Sequence, residues 1–251
     1  MEADVRGDQA CTTHISTDDG RSWAPGGELM VKPFLDCTIG AEYGAYASPA
    51  FGSDGTLYVA FIGSEFLGRL RDDTPRHLSS TDQGRRWTDA VEVDPGNQRS
   101  GSPRPHVLAA DPRTGTLYTA WYSNTEPNNL APAYEGDLEI FFRRSTDGGR
   151  TWGQRVVLND DRPGKANQFL PGIAVAPNGR VDVAWYDGRL SPKPRAGGTG
   201  GNETGFQDVY ATSSTDQGVT FGPNLRITDR SIDRSVGVVE QHRQQPRRGC
   251  D

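Results

Sequence analysis

The 251-residue chain has little that would anchor it in a bilayer, ligate a metal or attract a nucleic acid. No run approaches the roughly 18 apolar residues of a membrane-spanning helix, so membrane insertion is not expected. The opening residues include Glu2, Asp4, Arg6 and Asp8, where an export signal would need an apolar stretch, so the chain as given is read as carrying none. Cysteine is scarce: Cys11, Cys37 and Cys250 have neither Cys-x-x-Cys nor Cys/His zinc spacing, and no metal and no cofactor is expected. A Cys11 to Cys37 disulfide and free buried thiols are the two alternatives for the first pair. Positive charge is in deficit, with 27 Lys and Arg against 33 Asp and Glu, so no basic field exists to draw a phosphate backbone, and a nucleic-acid partner is not expected. In place of these features are 31 glycines and 17 prolines, the composition of many short strands joined by tight turns.

The strongest pattern is a repeat. Ser16-Thr17-Asp18-Asp19-Gly20-Arg21-Ser22-Trp23 recurs as Ser80-Thr81-Asp82-Gln83-Gly84-Arg85-Arg86-Trp87. It recurs again as Ser145-Thr146-Asp147-Gly148-Gly149-Arg150-Thr151-Trp152 and as Ser214-Thr215-Asp216-Gln217-Gly218-Val219-Thr220-Phe221. The copies start 64, 65 and 69 residues apart. Each position in S-T-D-x-G-x-x-[W/F] has a mechanical use. The Asp carboxylate accepts backbone N–H groups two residues on, the Gly takes φ > 0, and the aromatic covers the apolar edge beside the turn.

A second pattern precedes each later copy. Residues 50–61, 109–121 and 175–185 each read as strand, Asp/Asn-Gly turn, strand, which is a β-hairpin. Together the two patterns make a four-stranded unit: strands A and B around the Gly turn, a loop, strand C running into the S-T-D-x-G turn, and strand D leaving it. Such units are expected at about 47–93, 106–158 and 170–227, preceded within about 10–32 by a C and D pair at Ala10 to Ser16 and Leu29 to Lys32. Residues 239–251 have no strand alternation; they read either as the product of a shifted or truncated frame or as an ordinary disordered tail.

The four S-T-D-x-G-x-x-[W/F] turns are similar to the Asp box, or BNR repeat, of the sialidase superfamily. That resemblance implies an all-β fold, a β-propeller of four-stranded antiparallel blades. About three and a half blades of a six-bladed ring are present. An incomplete ring leaves open edges through which an oligomer could form; a four-bladed ring is the alternative. The resemblance also implies a secreted or cell-surface protein of glycoside hydrolase type, acting on or binding a glycan or glycoconjugate. The alternative is a non-catalytic propeller used for binding or scaffolding.

A sialidase would use three arginines on the substrate carboxylate, a Tyr nucleophile activated by a Glu, and an Asp acid/base. The chain lacks the Phe/Tyr-Arg-Ile-Pro motif that carries the first arginine in that family, so no catalytic residue transfers by motif. The same resemblance places Asp18, Gly20, Trp23, Asp82, Gly84, Trp87, Asp147, Gly149, Trp152, Asp216, Gly218 and Phe221 on the outer rim as structural residues. Recognition belongs instead to segments leading into strand A and leaving strand B. The B-to-C loops are read at Gly63 to Arg76, Ser123 to Asp137 and Asp187 to Gln207. The last follows Trp185-Tyr186-Asp187-Gly188-Arg189, which offers a carboxylate, a guanidinium and two aromatics to a sugar, or simply a turn-closing ion pair. The segments leading into strand A offer Glu42, Tyr43 and Tyr46, then Arg99, Arg104 and His106, then Asn167 and Gln168. Catalytic candidates are therefore Asp187, Arg189, Arg104, Tyr46 and Glu42, and binding candidates are Trp185, Tyr186, Gln168 and His106. His106 also reads as a scaffold histidine, and Arg104 as a residue between two loop-ending prolines.

Overall fold

The computed structural model describes residues 11–29, 48–67, 70–94, 106–124, 138–161, 166–191 and 206–233, and every described element is a strand or turn. Cys37, Glu42, Tyr43, Tyr46, Arg99, Arg104, Cys250 and the 239–251 tail lie outside these residues.

Strands β1 (Cys11–Ile15) and β2 (Ala24–Leu29) form a two-stranded sheet. The first full blade is β3 (Ser48–Phe51), β4 (Leu57–Leu67), β5 (Leu70–Ser80) and β6 (Val91–Glu92). The second is β7 (His106–Ala110), β8 (Leu117–Asn124), β9 (Leu138–Ser145) and β10 (Val156–Val157). The third is β11 (Gln168–Val175), β12 (Val181–Asp187), β13 (Phe206–Ser214) and β14 (Leu225–Arg226), with β15 (Ile232–Asp233) pairing on β13. Each blade is an antiparallel meander in chain order. The leading strands pack side by side, β3 on β7 and β7 on β11, while β11 also crosses β8 and β9. Leading strands in mutual contact with their sheets stacked behind them make a radial array, and the protein is a partial β-propeller.

The core lies between blades. Tyr118, Ala120, Ile140, Phe142 and Leu158 of the second blade close on Val181, Val183, Trp185 and Tyr210 of the third. Along β12 the odd residues Val181, Val183 and Trp185 are buried in this seam while Tyr186 is 38% exposed, the alternation a pleated strand enforces. Leu225 and Ile227 of the third blade also remain exposed.

The repeated turns sit between the third and fourth strands and add to the blade seams. Gly149 lies against the His77 ring, and Trp152 meets that ring edge-on at 5.3 Å. Gly218 and Phe221 do the same to Phe142, the residue at the equivalent place one blade on, with ring centroids 4.8 Å apart. A side chain at either glycine would enter the neighbouring ring, and φ values of +82° and +75° already favour glycine there.

Three details differ from the expectation. The segment 63–76 is a continuation of β4 and β5, paired through Leu67 and Leu70, so the first B-to-C connection is a tight hairpin. The strand after the first repeated turn is Ala24–Leu29, earlier than the 29–32 expected, because it leaves the turn directly after Trp23. The turn itself is also wired differently. The Asp carboxylate accepts the backbone N–H four residues on, not two: Asp18 from Ser22 at 2.8 Å, Asp82 from Arg86 at 2.8 Å, Asp147 from Thr151 at 3.0 Å and Asp216 from Thr220 at 2.9 Å. The leading Ser, to which the pattern assigned no task, links the two halves. Its hydroxyl donates to the Asp and accepts the Gly N–H in all four copies, for instance at 2.9 and 2.8 Å from Ser80.

Candidate functional site

Two ends of the propeller must be weighed. At the turn-bearing end the four aspartates are spent on their own loops. Donation from the Ser22 side chain and N–H holds Asp18 down to about 2, and Arg86 does the same to Asp82. For Asp147, burial pushes upward but the Thr151 hydroxyl and N–H outweigh it, again giving about 2. Thr220 holds Asp216 lower still. Carboxylates this acidic and this fully bonded cannot donate a proton near neutrality. A shallow groove of about 350 Å³ lies over the second turn, but its walls, including Asp82, Arg86 and Trp87, are these same bonded residues.

The other end carries the connections from second to third strand and from one blade to the next. Here β12 ends in Asp187, which is fully buried. Its Oδ1 accepts the Arg189 N–H at 2.8 Å, closing the turn, and its Oδ2 accepts Trp185 Nε1 at 3.0 Å and an Arg189 guanidinium N–H at 2.8 Å. Arg189 reaches across the seam to Asp160 at 2.6 Å, bonds Asn224 Oδ1 of its own blade at 3.0 Å, and lies 4.2 Å over the Tyr210 ring. The Asp160 N–H donates to Asn224 Oδ1 at 2.9 Å and the Asn224 N–H to Asp160 Oδ2 at 3.0 Å. Arg189 thus fastens the second blade's exit to the third blade.

Behind this fastening lies a second group of polar side chains. Gln168, fully buried at the start of β11, donates from Nε2 to Asp161 at 2.9 Å and approaches Asp187 at 3.5 Å. Two residues on, Leu170 takes φ +53° where the β11–β12 register shifts, a bulge that sets Gln168 and Phe169 apart from the rest of the strand. Asn159 Nδ2 donates to Asp161 Oδ1 at 2.8 Å and to Glu139 Oε2, while its Oδ1 accepts the Ile140 N–H. Oxygens sharing one nitrogen lie within roughly 6 Å, nearer the retaining than the inverting spacing of glycosidase carboxyl pairs. The Asn159 amide itself fills that gap. Burial, with the Asp187 charge beside it, pushes Asp161 up, whereas Asp160 is drawn down because Arg189 and the Asn224 N–H outweigh its burial.

The structure brings Asp187, Arg189 and Gln168 together, with the Trp185 Nε1 donating to Asp187, and places Tyr186 and His106 elsewhere. Trp185 faces the inter-blade core. Tyr186 points to the opposite face, stacked on Phe169 at 5.8 Å. Asn167 lies next to Gln168, and its side chain accepts the Leu138 N–H at 3.2 Å. His106 is buried in the seam between the first two blades, with Nε2 against the Thr119 hydroxyl and Nδ1 3.3 Å from the Phe61 carbonyl. Burial lowers it to about 4, so the imidazole is neutral near neutrality. Glu139, Asn159, Asp160 and Asp161 were missed by the sequence reading. The Asn159-Asp160-Asp161 run sits on the segment leading into strand A, and that topological place was the available signal. Among the described residues no group of three or more His, Cys, Asp or Glu side chains is arranged to hold a metal ion.

No protein family and no curated protein matches the chain. Solved structures do. A protein of unknown function from Dyadobacter fermentans aligns at TM-score 0.57 and 18% identity, over 86% of this chain and 57% of its own. An α-L-arabinanase from Penicillium chrysogenum, complexed with arabinobiose, aligns at 0.53 and 20% identity, over 87% and 59%. An α-L-arabinofuranosidase from Fusarium graminearum, bound to an iminosugar inhibitor, aligns at 0.54 and 16%, over 89% and 61%. The chain therefore spans less than two thirds of the length of these structures, and at such identities the likeness is one of fold.

Proposed function

We propose that the chain is the glycan-recognising part of an Asp-box propeller of glycoside hydrolase type, secreted or on the cell surface. The observation that carries this reading is the polar group at the loop-bearing end, where Asp161, Asp187, Gln168 and Arg189 converge beside Tyr210 at the seam of two blades. Carboxylates, an amide and a guanidinium are groups with which proteins grip sugars. The arabinan-acting propellers that share the fold support the same reading by analogy.

Within the described residues binding is better supported than cleavage. Asp187 already takes three strong donors, Arg189 is engaged by Asp187, Asp160 and Asn224, and Asn159 fills the space between Glu139 and Asp161. None of these carboxylates stands ready as an acid/base pair facing open space. The test is to offer the purified chain a fluorogenic sialoside, a fluorogenic arabinofuranoside and immobilised glycans. Retention on a glycan without turnover of either substrate is expected. Turnover would establish the hydrolase reading for this chain, and failure to retain any glycan would overturn the proposal.

A further inference from the structure

The polar group at the second and third blades contains two buried atoms without a partner among the described residues. Gln168 Oε1, on a side chain with no exposure, finds no hydrogen-bond donor among the described residues, and Arg189 Nε, also buried, finds no acceptor among them. Both side chains address the same two carboxylates. Gln168 Nε2 lies 2.9 Å from Asp161 and 3.5 Å from Asp187, and Arg189 lies 2.8 Å from Asp187 and 3.7 Å from Asp161. A buried polar atom without a partner costs about 1–3 kcal/mol, so such atoms call for an occupant.

The occupant's chemistry follows from the pair. An orphan acceptor requires a ligand donor, which a carboxylate or sulfate lacks. An orphan N–H requires a ligand acceptor, which an ammonium lacks. A hydroxyl is both at once, donating one hydrogen and offering two lone pairs. The surrounding charge argues the same way. Asp160, Asp187 and Asp161 lie 2.6, 2.8 and 3.7 Å from the Arg189 guanidinium, which Asn224 also engages, so among the described residues these three carboxylates share one cation. Burial and the Asp187 charge already raise Asp161, so the group tolerates its present negative charge poorly and a further anion worse.

Resting on the reading of this face as a glycan site, we propose that Gln168 and Arg189 form a hydroxyl-reading subsite that selects neutral sugars and rejects acidic ones. Gln168 Oε1 accepts from a sugar hydroxyl and Arg189 Nε donates to one, while the carboxylates behind them exclude a ligand carrying its own carboxylate. Sialic acid is thereby disfavoured at this subsite, in contrast to what the sialidase resemblance implies.

The experiment is an array printed with neutral oligosaccharides of arabinose, galactose, glucose and mannose alongside sialyllactose, probed with the fluorescently labelled full chain. Binding is expected on one or more neutral sugars and not on sialyllactose. Gln168→Met, which keeps the volume and removes the acceptor, is expected to weaken that binding at least tenfold, and Arg189→Lys, which keeps the charge and removes Nε, to weaken it as well. Sialyllactose bound as tightly as any neutral sugar, or neutral binding indifferent to Gln168→Met in folded protein, overturns the inference and leaves the glycan-binding proposal standing. No binding to any sugar overturns both and marks the orphan atoms as a site for buried water only. The wild-type preference is read without either variant, so the inference remains decidable if both fail to fold.

Discussion

The two ends of this propeller are built from the same residue types and put them to opposite uses. At the turn-bearing end, Ser, Asp and Gly recur with the same bonds in every copy, and the bonds of each carboxylate close within its own loop. At the loop-bearing end bonds run between segments far apart in sequence, Arg189 with Asp160 and Asp160 with Asn224, and shorter links from Asp187 to Arg189 and from Gln168 to Asp161 join them into one group. Local closure can be copied from blade to blade because the bonds of the carboxylate need no partner on another blade, while the glycine and aromatic of the third and fourth turns pack on the neighbouring ring. The group at the seam of the second and third blades joins particular residues of those blades, and in it Gln168 Oε1 and Arg189 Nε are buried with no partner among the described residues. Repetition therefore marks scaffold here, and recognition is to be sought where the repeat is broken.

The largest effect that separates the two ends is expected at Asp187. Asp187→Ala strips Trp185 Nε1 and Arg189 of a buried acceptor and should lower stability by about 3–5 kcal/mol in urea unfolding, the usual consequence of halving a buried ion pair. A loss under about 1 kcal/mol would mean that Arg189 does not fasten the blades.

Next come two glycines with one backbone conformation and different surroundings. Gly149 (φ +82°) abuts the His77 ring, whereas Gly20 (φ +81°) has only its own Trp23 nearby, at 3.9 Å. Gly20→Ala should cost about 1–2 kcal/mol, the strain of a left-handed alanine. Gly149→Ala should cost more, since the methyl must also displace a ring that Trp152 covers. Equal losses would show that the repeated turns do not help to join the blades.

The carboxyls themselves provide a third contrast. In a carbon-13 titration Asp18, Asp82 and Asp147 should titrate near 2 and Asp161 above the ordinary carboxyl range. The signs of their contributions to stability are opposite. A depressed aspartate stabilises the fold above its unfolded value near 4, and that stability is lost as pH falls toward 2. The raised Asp161 favours the fold below about 4, and its contribution is lost as pH rises through its folded value. A common titration at both ends would remove the distinction.

The smallest effect is expected at the residue before each turn glycine, which is also left-handed: Asp19 at +59°, Gln83 and Gln217 at +61°, Gly148 at +71°. Only the third copy has glycine there. Gln217→Gly relieves strain of about 1 kcal/mol and adds nearly as much unfolded-state entropy, so calorimetry should show a change of a few tenths of a kcal/mol at most. A large loss would mean that the Gln217 side chain has a task of its own.

Much of the fold could be read from the sequence because it is written locally. The S-T-D-x-G spacing and the Asp/Asn-Gly hairpins each declare a turn within eight residues or so, and the blade order follows from their alternation. The hairpin over 57–80 escaped because its polar, Pro-containing stretch Arg71 to Pro75 reads as loop, although pairing continues to Leu67 and Leu70. The site was half legible. Asp187 and Arg189 stand out by their spacing at a strand end, and Gln168 by its place before a leading strand. Glu139, Asn159 and Asp161 belong to no motif and acquire meaning only when the second blade's exit folds against the third blade's first strand. Trp185 and Tyr186 do not lie on one face because adjacent residues of a strand point opposite ways.

The central claim is that the repeated end holds the fold and the unrepeated end holds the ligand. An amide chemical-shift titration of the labelled chain with a neutral oligosaccharide tests it most directly. The account predicts perturbations concentrated at Asn159, Gln168 and Asp187 to Arg189, with Ser80 to Trp87, Ser145 to Trp152 and Ser214 to Phe221 unmoved. Perturbations gathered on those three turns instead would contradict it.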